Sequence, residues 1–148
     1  MNDNKITQFR GPYNFLSNFY PCNIVYEGLT YKSVESAYQA SKTLNKEIRK
    51  RFTKATAKEA KQWGKQLDLR KDWSEVKVDI MIDLVFQKFS QPYLKEKLLN
   101  TEDMIIEEHN HWRDTFWGIY NNKGKNMLGK ILMTTRDVLR KEDKKQNV

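Results

Sequence analysis

Two acidic residues stand in settings where a carboxylate could do chemistry, and Glu35 is the first of them. It comes two residues after Ser33, which sits where the N-cap of a helix belongs. In the first turn of a helix, free backbone amides and the helix dipole favour a negative charge, and plain compensation of that dipole is the simpler interpretation. Because Gln39 and Lys42 follow at helical spacing, the helix is predicted to present acid, amide and ammonium on one face.

The second acidic residue is Asp114, which lies between Trp112 and Trp117 in a stretch of unusual composition. Desolvation by apolar rings raises the pKa of a carboxyl and makes it a usable general acid. The alternative is an Asx-turn, in which the side chain bonds its own backbone. Tryptophan clusters are also common in cores, so the sequence leaves both interpretations open.

Two further motifs suggest ligands. His109 and His111 are close to a pair of glutamates, but a zinc site usually needs three protein ligands in a recognised spacing, so no metal is expected. Gly124, Lys125 and Asn126 open the last predicted helix, where free amides and lysine charge could hold an anion. A plain helix start with solvated lysines is the alternative there.

These residues must be positioned by a fold with more helices than strands. Capping signals and apolar spacing predict helices over 33–48, 56–64, 72–89, 92–100 and 124–140, and short strands over 6–9, 22–26, 29–31 and 104–108. Thr56 with Glu59 forms a capping-box pattern, and Glu27-Gly28 is typical of a tight hairpin turn. The pattern indicates a mainly helical α+β domain over residues 1–148, with a frayed tail at 141–148.

One segment, Asn14 to Pro21, fits neither a helical nor a strand period. Its aromatic residues are interrupted by asparagines and a serine. A loop packed against the core and the wall of a binding site are both compatible with this composition.

The bulk composition narrows the class of protein. The 148 residues carry a net charge of +8, which fits a partner with phosphates, either a nucleic acid or a small ligand. The polar N-terminus and the lack of any apolar run near the roughly 18 residues of a membrane span argue against a signal peptide and a membrane partner. A single cysteine, Cys22, gives no internal disulfide, so the cytosol is the expected location.

Five segments in order resemble one family. They are GPYNFLSNFYP at 11–21, SVESAYQASK at 33–42, RKDW at 70–73, RDTFWG at 113–118 and GKNMLGKILM at 124–133. Together they resemble the NADAR, or YbiA-like, family over roughly residues 6–140. The resemblance implies an N-glycosidase that needs no cofactor or metal and uses water as its second substrate.

The resemblance implies two substrate classes. One is a small phosphorylated riboside, such as the ribosylamino-pyrimidine intermediates of riboflavin synthesis, and the other is ADP-ribose attached to guanine, including guanine in nucleic acid. A non-catalytic module that binds nucleotides remains a third hypothesis. By position, the acid of the SVE segment falls on Glu35, the tryptophan of the DW segment on Trp73, and the acid and tryptophan of the DxxWG segment on Asp114 and Trp117.

Breaking a ribosyl C–N bond develops an oxocarbenium-like centre and a leaving nitrogen, and two carboxylates can divide that work. We expect Glu35 to stabilise the cation or activate water and Asp114 to act as the acid or position the ribose, although the roles could be reversed. We expect Trp73 and Trp117 to contact the base. Asn18, together with Phe15 or Phe19, is expected to contact the base or the ribose. The residues expected to contact the phosphate are Arg10, Lys42, Lys125 and Asn126.

Overall fold

The predicted fold class is confirmed: the protein is mainly helical α+β with a few short strands. The computed structural model describes residues 4–146 and divides into two compact units. One unit is Asn18–Lys88, and the other comprises the chain up to Ser17 and from Phe89 onward. The single domain predicted for residues 1–148 stays a prediction. Within residues 4–146, no helix combines the length and apolar character needed to cross a membrane.

The Asn18–Lys88 unit begins with the predicted hairpin. Strands β2 (Ile24–Tyr26) and β3 (Leu29–Tyr31) pair antiparallel, and Glu27 and Gly28 make the turn with φ of 45° and 85°. This left-handed backbone is the conformation that a two-residue hairpin turn requires. The hairpin leads directly into α1 (Val34–Ala40), whose N-cap is Ser33 as predicted, because the Ser33 hydroxyl accepts the Ser36 N–H at 3.0 Å.

The helix predicted over 33–48 is wrong in its extent. It ends at Ala40, and a separate helix, α2 (Lys46–Phe52), begins after Asn45. The physical reason is a competing cap: the Asn45 side chain accepts the Ile48 N–H at 3.1 Å and starts a new helix inside the apolar repeat. The short break between the helices carries Lys42.

The remaining helices of this unit follow the sequence signals. Helix α3 (Ala57–Gly64) begins with the predicted capping box between Thr56 and Glu59. Helix α4 (Trp73–Ser90) follows, and its last two residues belong to the other unit. Every residue of α1 is buried, and α1 packs mainly on α3. Glu35 and Gln39 of α1 are therefore both buried.

Helix α4 also buries a lysine. Lys88 is 1% exposed, and its Nζ lies 5.5 Å from the centre of the Tyr20 ring. Burial lowers the pKa of Lys88 to about 7, and the nearby Cys22 thiol opposes that change. The unfolded chain then binds more protons than the folded chain between pH 7 and the ordinary lysine pKa near 10.5, so this group makes stability rise with pH across that window.

We expect Lys88→Met to flatten this dependence, because methionine does not titrate. Between pH 6 and pH 9.5, the free energy of unfolding of the wild type should increase by more than about 1 kcal/mol relative to that of the variant, since each pKa unit corresponds to about 1.4 kcal/mol. Urea unfolding at several pH values measures it, with the exposed Lys58→Met as the control. Parallel pH curves for wild type and Lys88→Met would contradict the assignment.

The second unit holds the two parallel strands and the last two helices. Strand β1 (Lys5–Ile6) pairs with β4 (Ile105–Ile106), and both are shorter than predicted. Helix α5 (Pro92–Leu99) starts at its proline as expected. Helix α6 (Met127–Gln146) completes the unit.

The aperiodic aromatic segment proves to have mixed roles. Residues Gly11–Leu16 form a 3-10 helix that buries Phe15 and Leu16. Phe15 meets Phe89 edge to face with ring centres 6.3 Å apart, so this aromatic belongs to the core. Phe19, by contrast, is 40% exposed.

The frayed tail predicted at 141–148 is wrong as far as Gln146, because α6 continues through it. An ion pair between Asp143 of α6 and Lys95 of α5 ties this last part of the helix to its neighbour. Residues 147 and 148 lie outside the described part of the chain.

Candidate functional site

The first group of predicted residues gathers around α1 in the Asn18–Lys88 unit, and we call it the Glu35 group: Asn18, Glu35, Gln39, Lys42 and Trp73. Glu35 is 8% exposed, and its Oε2 accepts a hydrogen bond from Gln39 Nε2 at 2.9 Å. Its backbone N–H donates to the Asn18 carbonyl at 3.0 Å. A short helix thus fixes both the backbone and the carboxylate of Glu35.

Lys42 extends the group beyond the end of α1. Its Nζ lies 5.9 Å from the centre of the Tyr38 ring and 6.0 Å from that of Trp73. The two rings are themselves in contact, with centres 5.2 Å apart at a tilt of 54°. An ammonium held over aromatic faces is a cation–π arrangement, which holds the Lys42 charge beside Tyr38 and Trp73.

The charges around Lys42 perturb it. Burial lowers the pKa of Lys42, the Glu35 carboxylate raises it, and the ammonium groups of Lys65 and Lys77 lower it further. Lys65 directly follows α3, and Lys77 is one helical turn beyond Trp73 on α4. Sequence reasoning missed both lysines, although the four-residue spacing of Trp73 and Lys77 could have indicated the second.

Asn18 lies beside Glu35, as the sequence predicted. Its carbonyl accepts the Glu35 N–H, and its Nδ2 lies 3.6 Å from the Met81 sulfur, a weak acceptor that a better partner could replace. Phe19 follows with an exposed ring, and Lys61 Nζ lies 5.8 Å from its centre. Contact of either residue with a substrate stays a prediction.

The second group lies in the other unit, around the loop of Asp114. Asp114 Oδ1 accepts the backbone N–H groups of Phe116 and Trp117 at 3.0 and 2.9 Å. The Asn110 side chain brackets the same residue, donating to its carbonyl and accepting its N–H. The carboxylate therefore builds its own loop, which is the Asx-type role, while its second oxygen makes no hydrogen bond within residues 4–146.

This loop also closes the start of α6, where free amides for an anion were predicted. Four successive backbone N–H groups donate instead to carbonyls of the loop. Those of Lys125 and Asn126 donate to Thr115 and Gly118, and those of Met127 and Leu128 donate to Phe116 and Trp117. These four amides are already bonded and are not free to bind a phosphate. A phosphate contact by Lys125 or Asn126 stays a prediction.

The other predicted contact residues in this unit differ in how exposed they are and in which bonds they already make. Asn126 is buried and holds β4, since its Nδ2 donates to the Ile106 carbonyl and its Oδ1 accepts the Glu108 N–H, both at 3.0 Å. A substrate contact by this amide would have to use its second N–H or the remaining lone pair of its oxygen. Arg10 and Lys125 are exposed, and Lys125 Nζ lies 5.5 Å from the centre of the Phe116 ring. Trp117 is half-buried and edge-on to Phe116.

The two histidines have other neighbours. His109 Nε2 lies 2.8 Å from Glu107 Oε1, and His111 packs on Trp112 with ring centres 5.0 Å apart. In residues 4–146, no three His, Cys, Asp or Glu side chains are grouped as a metal site requires.

A surface cavity of about 360 Å³ beside α5 contains none of the predicted residues. Its lining includes the ion-paired Lys95 and Asp143.

Comparisons with known proteins agree with the motif pattern. A NADAR domain model matches residues 6–140. The chain is 38% identical over 137 residues to an N-glycosidase of Nostoc punctiforme, with 87% of each protein covered, and 33% identical to the N-glycosidase YbiA of Escherichia coli, covering 86% of this chain and 82% of that one. The solved NMR structure of E. coli YbiA superposes with a TM-score of 0.82 at 32% identity, covering 95% of this chain and 88% of the other.

The chain also matches part of a longer protein. It is 36% identical over 137 residues to a riboflavin biosynthesis protein of Vibrio vulnificus. The match covers 86% of this chain but only 36% of the Vibrio protein's length.

Proposed function

We propose that this chain hydrolyses the ribose–nitrogen bond of a small phosphorylated N-riboside. The chain belongs to the NADAR domain family and is an N-glycosidase homologous to YbiA. The substrate we favour is a ribosylamino-pyrimidine intermediate of riboflavin biosynthesis, since the similar Vibrio protein is named for that pathway. The cytosolic location expected from the sequence stays a prediction.

The observation that carries this proposal is the placement of Glu35. A buried carboxylate is fixed by Gln39 on one oxygen and lies close enough to an ammonium to change the pKa of Lys42. Trp73 and Tyr38 supply flat aromatic surface next to that charge. The aromatic rings suit a flat base, the Glu35 carboxylate suits a developing ribosyl cation, and the Lys42 ammonium suits a phosphate.

In the proposed reaction, the C–N bond breaks and its electron pair stays on the leaving nitrogen, which takes up a proton. The oxygen of water bonds to the anomeric carbon and gives up one proton. The Glu35 carboxylate stabilises the cationic carbon or accepts that proton. The nitrogen also needs a proton, and Asp114 stays the predicted donor of that proton or a predicted group that positions the ribose.

A panel of possible substrates tests the proposal. The protein is incubated with a phosphorylated ribosylamino-pyrimidine, its dephosphorylated form, and an oligonucleotide carrying ADP-ribosyl-guanine, and the products are identified by mass spectrometry. We expect free base and ribose phosphate in equal amounts from the first compound. Binding without product from every compound would favour the non-catalytic module instead.

Lys42 and the two lysines whose charges act on it give a separate prediction for the phosphate. The charges of Lys65 and Lys77 lower the pKa of Lys42. We therefore expect Lys65→Ala/Lys77→Ala to raise KM for the phosphorylated compound by about 10-fold. The value of kcat should stay within about 2-fold, because the lost contact binds substrate and transition state alike. The dephosphorylated compound should show no such change. Lys54→Ala/Lys58→Ala removes the same charge from exposed positions and is the control. Equal effects on both substrates would contradict this phosphate contact.

One observation favours the second substrate class, ADP-ribosyl-guanine in nucleic acid. Residues 42–71 hold eleven of the 27 Lys and Arg residues but only three of the 19 Asp and Glu residues, so the net charge of the chain is concentrated there. Trp63 and Phe19 add exposed rings in the same unit. Release of ADP-ribose from the oligonucleotide, which keeps its guanine, with binding that weakens steeply in salt, would establish this class.

A further inference from the structure

The position of Gly64 in α3 is not explained by helix formation. Glycine inside a helix costs roughly 0.5–1 kcal/mol relative to alanine. Gly64 nevertheless ends the helix that packs on α1, and it is buried. A β-carbon built there would lie 1.9 Å from Gln39 Oε1 and 2.7 Å from Gln39 Cδ. The space beside Gly64 is therefore filled by the Gln39 amide.

The same amide holds Glu35. Gln39 is 6% exposed, and its Nε2 donates to the Glu35 carboxylate. Its Oε1, which faces Gly64, is buried without a hydrogen-bond partner among residues 4–146. A buried, unpaired carbonyl oxygen costs about 1–3 kcal/mol, so hydrogen bonding by that oxygen is not what fixes this orientation. The bond to Glu35 and the close approach of the α3 backbone fix it.

We infer that Gly64 is a positioning residue for Glu35 and that it acts through the Gln39 amide. The missing side chain lets α3 approach α1 closely enough to confine the amide, and the confined amide holds the carboxylate in one orientation. This inference rests on the proposed function of Glu35. It assigns a role to a residue that touches neither the substrate nor the reacting atoms.

The inference predicts how Gly64→Ala affects the reaction. The added methyl group should displace the Gln39 amide and lower kcat for the phosphorylated ribosylamino-pyrimidine by about 10- to 100-fold, because small misplacements of a catalytic group have effects of this size. KM should stay within about 2-fold, because the change is in orientation and not in uniform binding. Gln62→Ala, an exposed change in the same helix, should leave both constants unchanged.

A double-mutant cycle tests the route of this effect. In the Gln39→Ala background the amide is gone, so Gly64→Ala should cause no further loss of kcat. Melting temperatures form a second cycle that needs no substrate: Gly64→Ala should lower the melting temperature in the wild type, and Gln39→Ala should restore most of the loss. If Gly64→Ala fails to fold, recovery of folding in the double variant is the decisive measurement.

The outcomes separate this inference from the proposed function. Multiplicative losses of kcat, a normal kcat in Gly64→Ala, or a melting temperature that Gln39→Ala does not restore would each overturn the positioning role. Wild-type turnover in Glu35→Gln would overturn the catalytic assignment of Glu35. The melting cycle would then still report on the contact between Gly64 and Gln39.

Discussion

Glu35→Gln is expected to lower kcat by about 10²- to 10⁴-fold, the range for losing a group that transfers a proton or stabilises charge in the transition state. The variant keeps the size of the side chain and an oxygen that can accept the bond from Gln39 Nε2. KM should change little, because the carboxylate interacts most strongly with the charge that develops during bond cleavage. Steady-state kinetics on the phosphorylated ribosylamino-pyrimidine measure both constants.

Glu47→Gln is a matched control for this experiment. Glu47 also lies two residues after an N-cap, in the first turn of a seven-residue helix, but it is exposed and pairs with Lys50. Dipole compensation alone would give both variants the same small loss of stability. We expect Glu47→Gln to keep wild-type turnover. A wild-type kcat in Glu35→Gln would mean that Glu35 only compensates the helix dipole and takes no part in the reaction.

Asp114→Asn is expected to have the second large effect, a loss of about 100-fold in kcat with the melting temperature nearly unchanged. The amide oxygen of asparagine can still accept the N–H groups of Phe116 and Trp117, so the loop should keep its shape. What is lost is the negative charge and the ability to exchange a proton. Kinetics and thermal melts on the same preparation measure the two properties.

Asp114→Ala separates the two roles of this residue. It removes the acceptor that closes the loop, so both stability and activity should fall, with a stability loss of about 1–3 kcal/mol for the unsatisfied amides. If Asp114→Asn keeps wild-type turnover while Asp114→Ala loses it, the carboxylate only builds the loop. That result would remove Asp114 from the reaction and leave the rest of the account intact.

Local signals in the sequence predicted most of the fold because they act over a few residues. The Ser33 cap, the Thr56–Glu59 capping box and the Glu27-Gly28 turn all stand where their chemistry placed them. The break after Ala40 was missed because the apolar repeat runs through it. Only the side-chain cap at Asn45 reveals that a second helix begins there.

The sequence predicted which residues of α1 lie together, but not the neighbours that other helices supply. The spacing on α1 correctly placed Gln39 beside Glu35. The contribution of Lys65 and Lys77, and the contact of Gly64 with Gln39, depend on helices that are distant in sequence. The closed start of α6 was also hidden, since a free helix terminus and one bonded to a neighbouring loop have the same local sequence.

The most direct measurement is product analysis by mass spectrometry for wild type, Glu35→Gln and Glu47→Gln, each incubated with the phosphorylated ribosylamino-pyrimidine. The account predicts equal amounts of free pyrimidine and ribose phosphate from the wild type and from Glu47→Gln, and about 10²-fold or more slower release from Glu35→Gln. Release at the same rate by all three proteins would contradict the central role of Glu35. Absence of free base with the wild type would contradict the proposed substrate.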